Sequence, residues 1–517
     1  MMTSINDKLQ ALITKIETVN PHPVDQWQII AIIESLGYTD RIIQKELEFP
    51  DARVLAQFIY ERYPFTSPAQ PSTHPKRLKL GVLKEFCVFL TEFSRSFVYA
   101  VPLIAVLVLE YFPTQHTAQL LPPELAALFT LATIASLSTS GGFVQMIQRR
   151  GLFYLQLGEM NQMRQICFSF LMLGMTASIV LSCLGTWFGF YRGMFADQYL
   201  ILANFYYLSL SALWMLFAIL SILIPWGTPI ALVSLTLLFL VLRVLLGLGA
   251  LEAQILTMSI TLVGLIGIIT AQFRQSQLSQ KNQAIDSSRS PRISALVYIL
   301  SPYFGYGILY FTFIFTDRIV AGLAINPASG LIFAINSSYQ RSIDLSLLNF
   351  LLFVPLIEYL GYIFIRHWYQ QAVIIPIDKL PEFSAQLLRR YYRTILIGML
   401  CFCFLLPTIL LTFKPISWSV PEIVCTLAGS IGYLLFAIGL LNGIILFSLN
   451  QATRVMKSLI PALIINLCIG YLLAHGIADI YAVAGLVVGA AAFMLLSGQA
   501  VVQAIRSPDY VYYLGGY

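Results

Sequence analysis

Twelve long apolar runs, each of the length that crosses a bilayer, dominate this chain of 517 residues. A hydrocarbon core about 30 Å thick needs about 20 helical residues. Windows of about 19 residues place spans at 96–112, 123–146, 166–190, 199–225, 228–249, 252–273, 294–315, 343–365, 394–413, 422–448, 456–475 and 480–504. In lipid every backbone polar group must be bonded within the protein, so segments of this kind are helices. Only 11% of the residues are charged while 58% are hydrophobic, against about 25% charged in an ordinary soluble domain. A water-soluble enzyme, a secreted disulfide scaffold and a disordered chain are excluded on that ground. The first span follows too much polar sequence to be a cleaved signal peptide and is read as retained. The seven cysteines lie mostly within apolar runs, where a thiol packs as a small hydrophobe. The close pair Cys401 and Cys403 has no His or carboxylate nearby to complete a metal site.

Lys and Arg set the orientation, because positive residues stay on the cytoplasmic side. Of the 31 such residues, Arg192, Arg318, Arg341 and Lys414 fall on one side, Arg243 lies inside the fifth span, and the rest fall on the other side. Both termini are therefore expected in the cytoplasm, and the net charge of +6 reflects topology and not a nucleic-acid partner.

The expected architecture is all-α: a polytopic membrane protein whose twelve transmembrane helices form two six-helix bundles, with a small cytoplasmic helical bundle in front. Residues 1–63 form that bundle, with helices at 3–19, 24–36 and 40–62. Gly37 is a stop for the second helix and Thr39 an N-cap for the third. Residues 64–90 combine a proline-rich spacer, 64–75, with a basic amphipathic stretch from Lys76 to Leu90 that suits an anionic leaflet. Residues 91–273 are the first lobe, 274–293 a polar, basic cytoplasmic linker, 294–506 the second lobe and 507–517 a tail. The bundle is read either as a docking module for a cytoplasmic protein or as a stabilising cap.

Paired lobes of this kind hold their binding site between them, where Pro or Gly interrupts corresponding helices. Span 1 carries Pro102 and its counterpart, span 7, carries Pro302, which makes both candidate bending points. Charges at membrane depth are costly and face a cavity or a partner. Candidate cavity residues are Arg243, Arg318, Arg95 and Arg341, with Tyr303 and Tyr306 as aromatic surfaces, while Asp317 and Glu358 are candidate ion-coupling acids. Arg95 and Arg341 border span ends, where a long side chain also snorkels to the interface. For Arg243 and Glu358 the alternative is a salt bridge between neighbouring helices. The five histidines are scattered and no zinc-protease, hydrolase or P-loop pattern occurs, so neither an enzymatic activity nor a cofactor is expected.

Several stretches carry a family likeness. Twelve spans as six plus six, the segment from Phe311 to Arg318 closing span 7, the aromatic helix around Glu358 and the run from Phe447 to Leu473 resemble the multidrug, oligosaccharidyl-lipid and polysaccharide flippase superfamily. Within it the chain is most similar to the membrane subunit of the Pel exopolysaccharide exporter. The resemblance covers roughly residues 90–510. It implies a bacterial inner-membrane protein, surrounded by membrane lipids, that moves a saccharide or lipid-linked saccharide by alternating access, with a cytoplasmic glycosyltransferase or other synthase subunit as partner. The alternatives are a drug or small-metabolite exporter of the same superfamily and a non-transporting anchor subunit of a synthase.

Overall fold

A computed structural model describes residues 2–19, 23, 26–36, 38–63, 82–111, 122–156, 159–193, 195–280, 293–324, 333–372, 375, 379–412 and 419–508. The proline-rich spacer, the start of the basic stretch, the second half of the inter-lobe linker and nearly all of the C-terminal tail lie outside the described residues.

Among the described residues of the N-terminal region there are four helices: α1 (Met2–Val19), α2 (Gln26–Ser35), α3 (Asp40–Leu47) and α4 (Ala52–Arg62). Leu12, Ile16, Ile29, Ile33, Ile43 and Leu55 close a core of their own. The single helix expected over 40–62 is two. Glu48 adopts a left-handed φ of 60°, and Pro50 disfavours helical backbone at Phe49. Asp51 then caps α4 by accepting from the Val54 N–H at 2.7 Å, and Asp40 ties the two helices by accepting from the Ala52 N–H at 2.9 Å.

Among the described residues twelve helical segments are long and apolar enough to cross a membrane, which makes this a multi-pass membrane protein. The first is composite: α5 (Val82–Phe97) passes through a 3-10 turn, Val98–Ala100, into α6 (Val101–Tyr111). The first lobe continues with α7 (Pro123–Gln156), α8 (Met160–Arg192), α9 (Asp197–Leu223), α10 (Gly227–Leu240) with a π-helical turn at Val241–Leu245, and α11 (Ala250–Gln280). The second comprises α12 (Ile293–Ala324), α13 (Ser337–Ala372), α14 (Leu380–Thr412), α15 (Val420–Ser448), α16 (Ala452–Gly476) and α17 (Ala482–Arg506). Each lobe has its own core. Ile147, Cys167, Phe170 and Met215 lie at the centre of the first, and Phe313, Phe350, Tyr433, Phe436 and Phe493 at the centre of the second.

The lobes meet along α7 and α12. Gly307 of α12 lies so close to Gly141 of α7 that a Cβ there would run into the Gly141 carbonyl. Small residues at this crossing allow two backbones to approach, as is usual between helices in lipid. A second contact joins the lobes where α5 packs on α13, with the Phe89 and Tyr359 rings edge to face at 4.8 Å.

Two boundaries differ from the sequence reading. Helix α12 does not stop at 315 but runs to Ala324, and α13 begins at Ser337, ahead of 343. Asp317, Arg318 and Arg341 are therefore helical residues, not loop residues flanking the spans. Asp317 and Arg318 of α12 each find a partner on α13, Tyr339 and Asp344, which lets the helices continue through them.

Candidate functional site

A cavity of about 260 Å³ lies between the lobes, walled by α7, α9 and α10 on one side, by α12, α13 and α15 on the other, and by Tyr99 of the 3-10 turn. The turn has a local cause. Pro102 has no N–H to give the Val98 carbonyl, and Val101 supplies the tighter bond to that oxygen instead. Aromatic surfaces from Tyr99, Trp214, Tyr306, Tyr310 and Phe447 cover much of the wall, and Gln145, Gln148, Ser140 and Thr228 provide neutral polar groups.

Among the described residues Glu358 is the one charged side chain on this wall, and it keeps solvent access there. It accepts a hydrogen bond from the Ser96 hydroxyl of α5. Glu92 and Arg95 of α5 also act on it electrostatically. Pro355, one turn earlier in α13, leaves the Leu351 carbonyl without its helical donor. A lone carboxylate among aromatic faces is complementary to a cation, which the ring faces attract as well.

Asp317 and Arg318 occupy a different place. Asp317 is fully buried in the second lobe and accepts from the Tyr339 hydroxyl of α13 at 2.8 Å. Arg318 pairs with Asp344 of α13 at 2.7 Å, while Gln340 donates to both Asp344 oxygens at 3.3 and 3.2 Å. The Arg318 guanidinium also lies 5.4 Å from the Phe315 ring centroid. These groups link α12 to α13 and do not line the central cavity. Among the described residues, Asp317 Oδ1 and the Arg318 Nε and Nη2 have no hydrogen-bond partner, and Arg318 borders a second, small pocket shared with Thr130 of α7. The two acids grouped together by sequence are thus separated, one on the cavity wall and one in a helix-to-helix network.

Of the other candidates, Tyr306 lines the cavity and packs edge to face on Phe447 at 4.7 Å. Tyr303 is buried beyond it, stacked on Phe447 at 5.5 Å, with its hydroxyl donating to Asn450 at 3.2 Å. Arg95 is half-buried on α5 beside Glu358, and Arg341 is half-buried on α13 within electrostatic reach of Glu422. Arg243 is not among the residues that line the cavity. It is 7% exposed in the π-helical turn, where its Nη1 donates to the Leu248 carbonyl at 2.8 Å, close to the end of its span. The helix is interrupted just before Pro102, whereas α12 continues through Pro302.

The sequence reading passed over Ser96, Gln145, Gln148 and Trp214. Gln145 and Gln148 did leave a trace, two amides one turn apart on a single helix face of an apolar span. Ser96 left none, because its role depends on α13 packing against α5.

Solved structures with the same fold are MATE transporters. A mutant of the Vibrio cholerae MATE transporter VcmN is 13% identical, matches over 83% of this chain and 99% of its own, and superposes with a TM-score of 0.56. The eukaryotic MATE transporter AtDTX14 is 14% identical over 82% and 99%, with a TM-score of 0.52. An outward-facing multidrug resistance MATE family transporter of the MOP superfamily is 13% identical over 81% and 96%, with a TM-score of 0.50. No family model and no curated protein matches the sequence. These likenesses give the fold, a two-lobed MATE-type bundle of twelve spans. They lend no support to the Pel-type resemblance or to synthase partners.

Proposed function

We propose that this protein exports small amphipathic organic cations across a cell membrane, taking them up in the cavity between its lobes. The observation that carries the reading is Glu358, a single carboxylate on an aromatic wall with the neutral amides of Gln145 and Gln148 opposite. Most small-molecule sites are largely apolar, with a few placed polar groups that fix orientation, and this cavity follows that pattern. A saccharide would bring many hydroxyls, each needing a partner, into a wall that offers few, and a lipid-linked oligosaccharide would overfill about 260 Å³. The fold shared with MATE transporters, one of them described as a multidrug resistance protein, supports the small-molecule reading over the saccharide one. The distribution of Lys and Arg supports an orientation with both termini and the N-terminal helices in the cytoplasm, as in a bacterial inner membrane.

Transport in this scheme requires Glu358 to be ionised when the cation is held and neutralised, by substrate or by a proton, when the lobes rearrange. The test is accumulation of a fluorescent lipophilic cation in cells carrying wild-type or Glu358→Gln protein, normalised to membrane protein level. Loss of one charged contact corresponds to about a tenfold weakening, so the expected result is export near background with unchanged protein level. Export per molecule at the wild-type level in Glu358→Gln would exclude the reading.

A further inference from the structure

The turn between α15 and α16 gathers polar groups that the central cavity does not use. Asn450 takes a left-handed φ of 58° there. Its side-chain oxygen accepts from the Tyr303 hydroxyl of α12 at 3.2 Å. The neighbouring Ser448 carbonyl accepts from the Tyr369 hydroxyl of α13 at 2.6 Å. Arg149, from α7 of the other lobe, lies over the Tyr303 ring at 5.2 Å from its centroid. Helices of both lobes thus converge on one short turn.

Gln451 is the N-cap of α16, a helix of 25 residues. It is 7% exposed, yet neither its amide nitrogen nor its amide oxygen has a hydrogen-bond partner. One turn further, Arg454 has a buried Nη1 that is equally unbonded. Residues 447–457 include Arg454 and Lys457 and no acid. Buried donors left unbonded are unfavourable, and such groups in a native fold call for a ligand or water. The start of a helix also offers backbone N–H groups without internal partners and the positive end of the helix dipole. Together these are the elements that hold phosphate.

We propose that the segment from Gln451 to Arg454, with Arg149 opposite, binds a phosphate group. The Gln451 amide and the Arg454 guanidinium donate to its oxygens, and Arg149 adds charge from the first lobe. A bound phosphate joins α7 to α16 and so favours the arrangement in which the lobes are closed at this end. The shared chemistry has two sources, the headgroup of an anionic lipid or free phosphate. A headgroup is available because the turn sits where two spans end.

The test uses the full-length protein in phosphatidylcholine nanodiscs with graded phosphatidylglycerol and, separately, in detergent titrated with inorganic phosphate, reading the melting temperature. Saturable stabilisation by phosphatidylglycerol alone identifies a headgroup site. Stabilisation by inorganic phosphate, alone or in addition, identifies a site open to free phosphate. Arg454→Gln and Gln451→Leu are each expected to raise the half-saturating concentration about tenfold, while Arg506→Gln leaves it unchanged. Should Arg454→Gln fail to fold, Gln451→Leu and the wild-type titrations still decide. Absence of saturable stabilisation of the wild type by either probe overturns the proposal, as does an unchanged half-saturating concentration in the folded variants.

Discussion

The two lobes have the same six-span plan but are held together by different chemistry. In the first, the polar contacts between helices are mostly neutral. Ser211 donates to Ser136 at 3.0 Å, Tyr207 donates to Thr139 at 3.2 Å, and Thr133 meets Tyr206 at 3.0 Å. The second lobe buries charge: Asp317 against Tyr339 and Arg318 against Asp344. It adds amide contacts, with Asn466 donating to the Phe313 carbonyl at 3.2 Å and Asn442 accepting from Tyr391 at 2.8 Å. Arg243 is the exception in the first lobe, and it serves the backbone of its own turn. A neutral lobe can slide against a partner at modest cost, whereas a lobe with a buried ion pair has one strongly favoured arrangement. The second lobe also presents the carboxylate, Glu358, to the cavity.

The largest expected effect comes from breaking the charged network. Arg318→Met leaves Asp344 and Asp317 without their cation, and removal of one partner of a buried pair costs about 3–5 kcal/mol. Folded protein recovered in detergent should fall sharply, and a wild-type yield and melting point would remove the distinction between the lobes. Arg243→Met is next, because a hydrogen bond from a charged group is worth about 1.5–3 kcal/mol. Its loss should lower the melting temperature while leaving export per molecule unchanged. Reduced export at normal stability would instead place Arg243 in the transport path. At the seam, Gly307→Ala puts a methyl group into the Gly141 backbone, and overpacking of that kind costs about 1–3 kcal/mol. Cross-linking between cysteines at 138 and 312, whose native hydroxyls lie 3.4 Å apart, should drop in this variant. Equal cross-linking would show that the lobes do not depend on that crossing. The smallest effect is that of Ser211→Ala in the neutral lobe, about 0.5–1.5 kcal/mol for one uncharged hydrogen bond, read from the same melting curves. A loss as large as that of Arg318→Met would mean that the first lobe is no looser than the second.

What could be read from sequence follows the same division. Lipid imposes its length and polarity on every span separately, so the twelve spans and their grouping are visible in the local pattern. The ends of α12 and α13 are not, because Asp317, Arg318 and Arg341 look like loop residues until each is seen to face a group on a neighbouring helix. Glu358 stands out as an acid in an apolar run, and the structure puts it on the cavity wall. Its partner Ser96 is distant in sequence and carries no local mark. Arg243 is a separate case. Apolar neighbours make it look deep, yet the π-helical turn brings the Leu248 carbonyl back to it near the span's end. In the N-terminal helices, Pro50 was a readable breaker that an uninterrupted helical pattern over 40–62 had obscured.

Equilibrium binding of a lipophilic fluorescent cation to the purified protein compares the two acids directly. Glu358 faces the cavity and Asp317 is enclosed in the second lobe. Glu358→Gln should therefore weaken binding about tenfold or more, and Asp317→Asn, where it folds, should leave it within about twofold. Wild-type affinity in Glu358→Gln together with loss of binding in Asp317→Asn would contradict the assignment of the cavity as the substrate site.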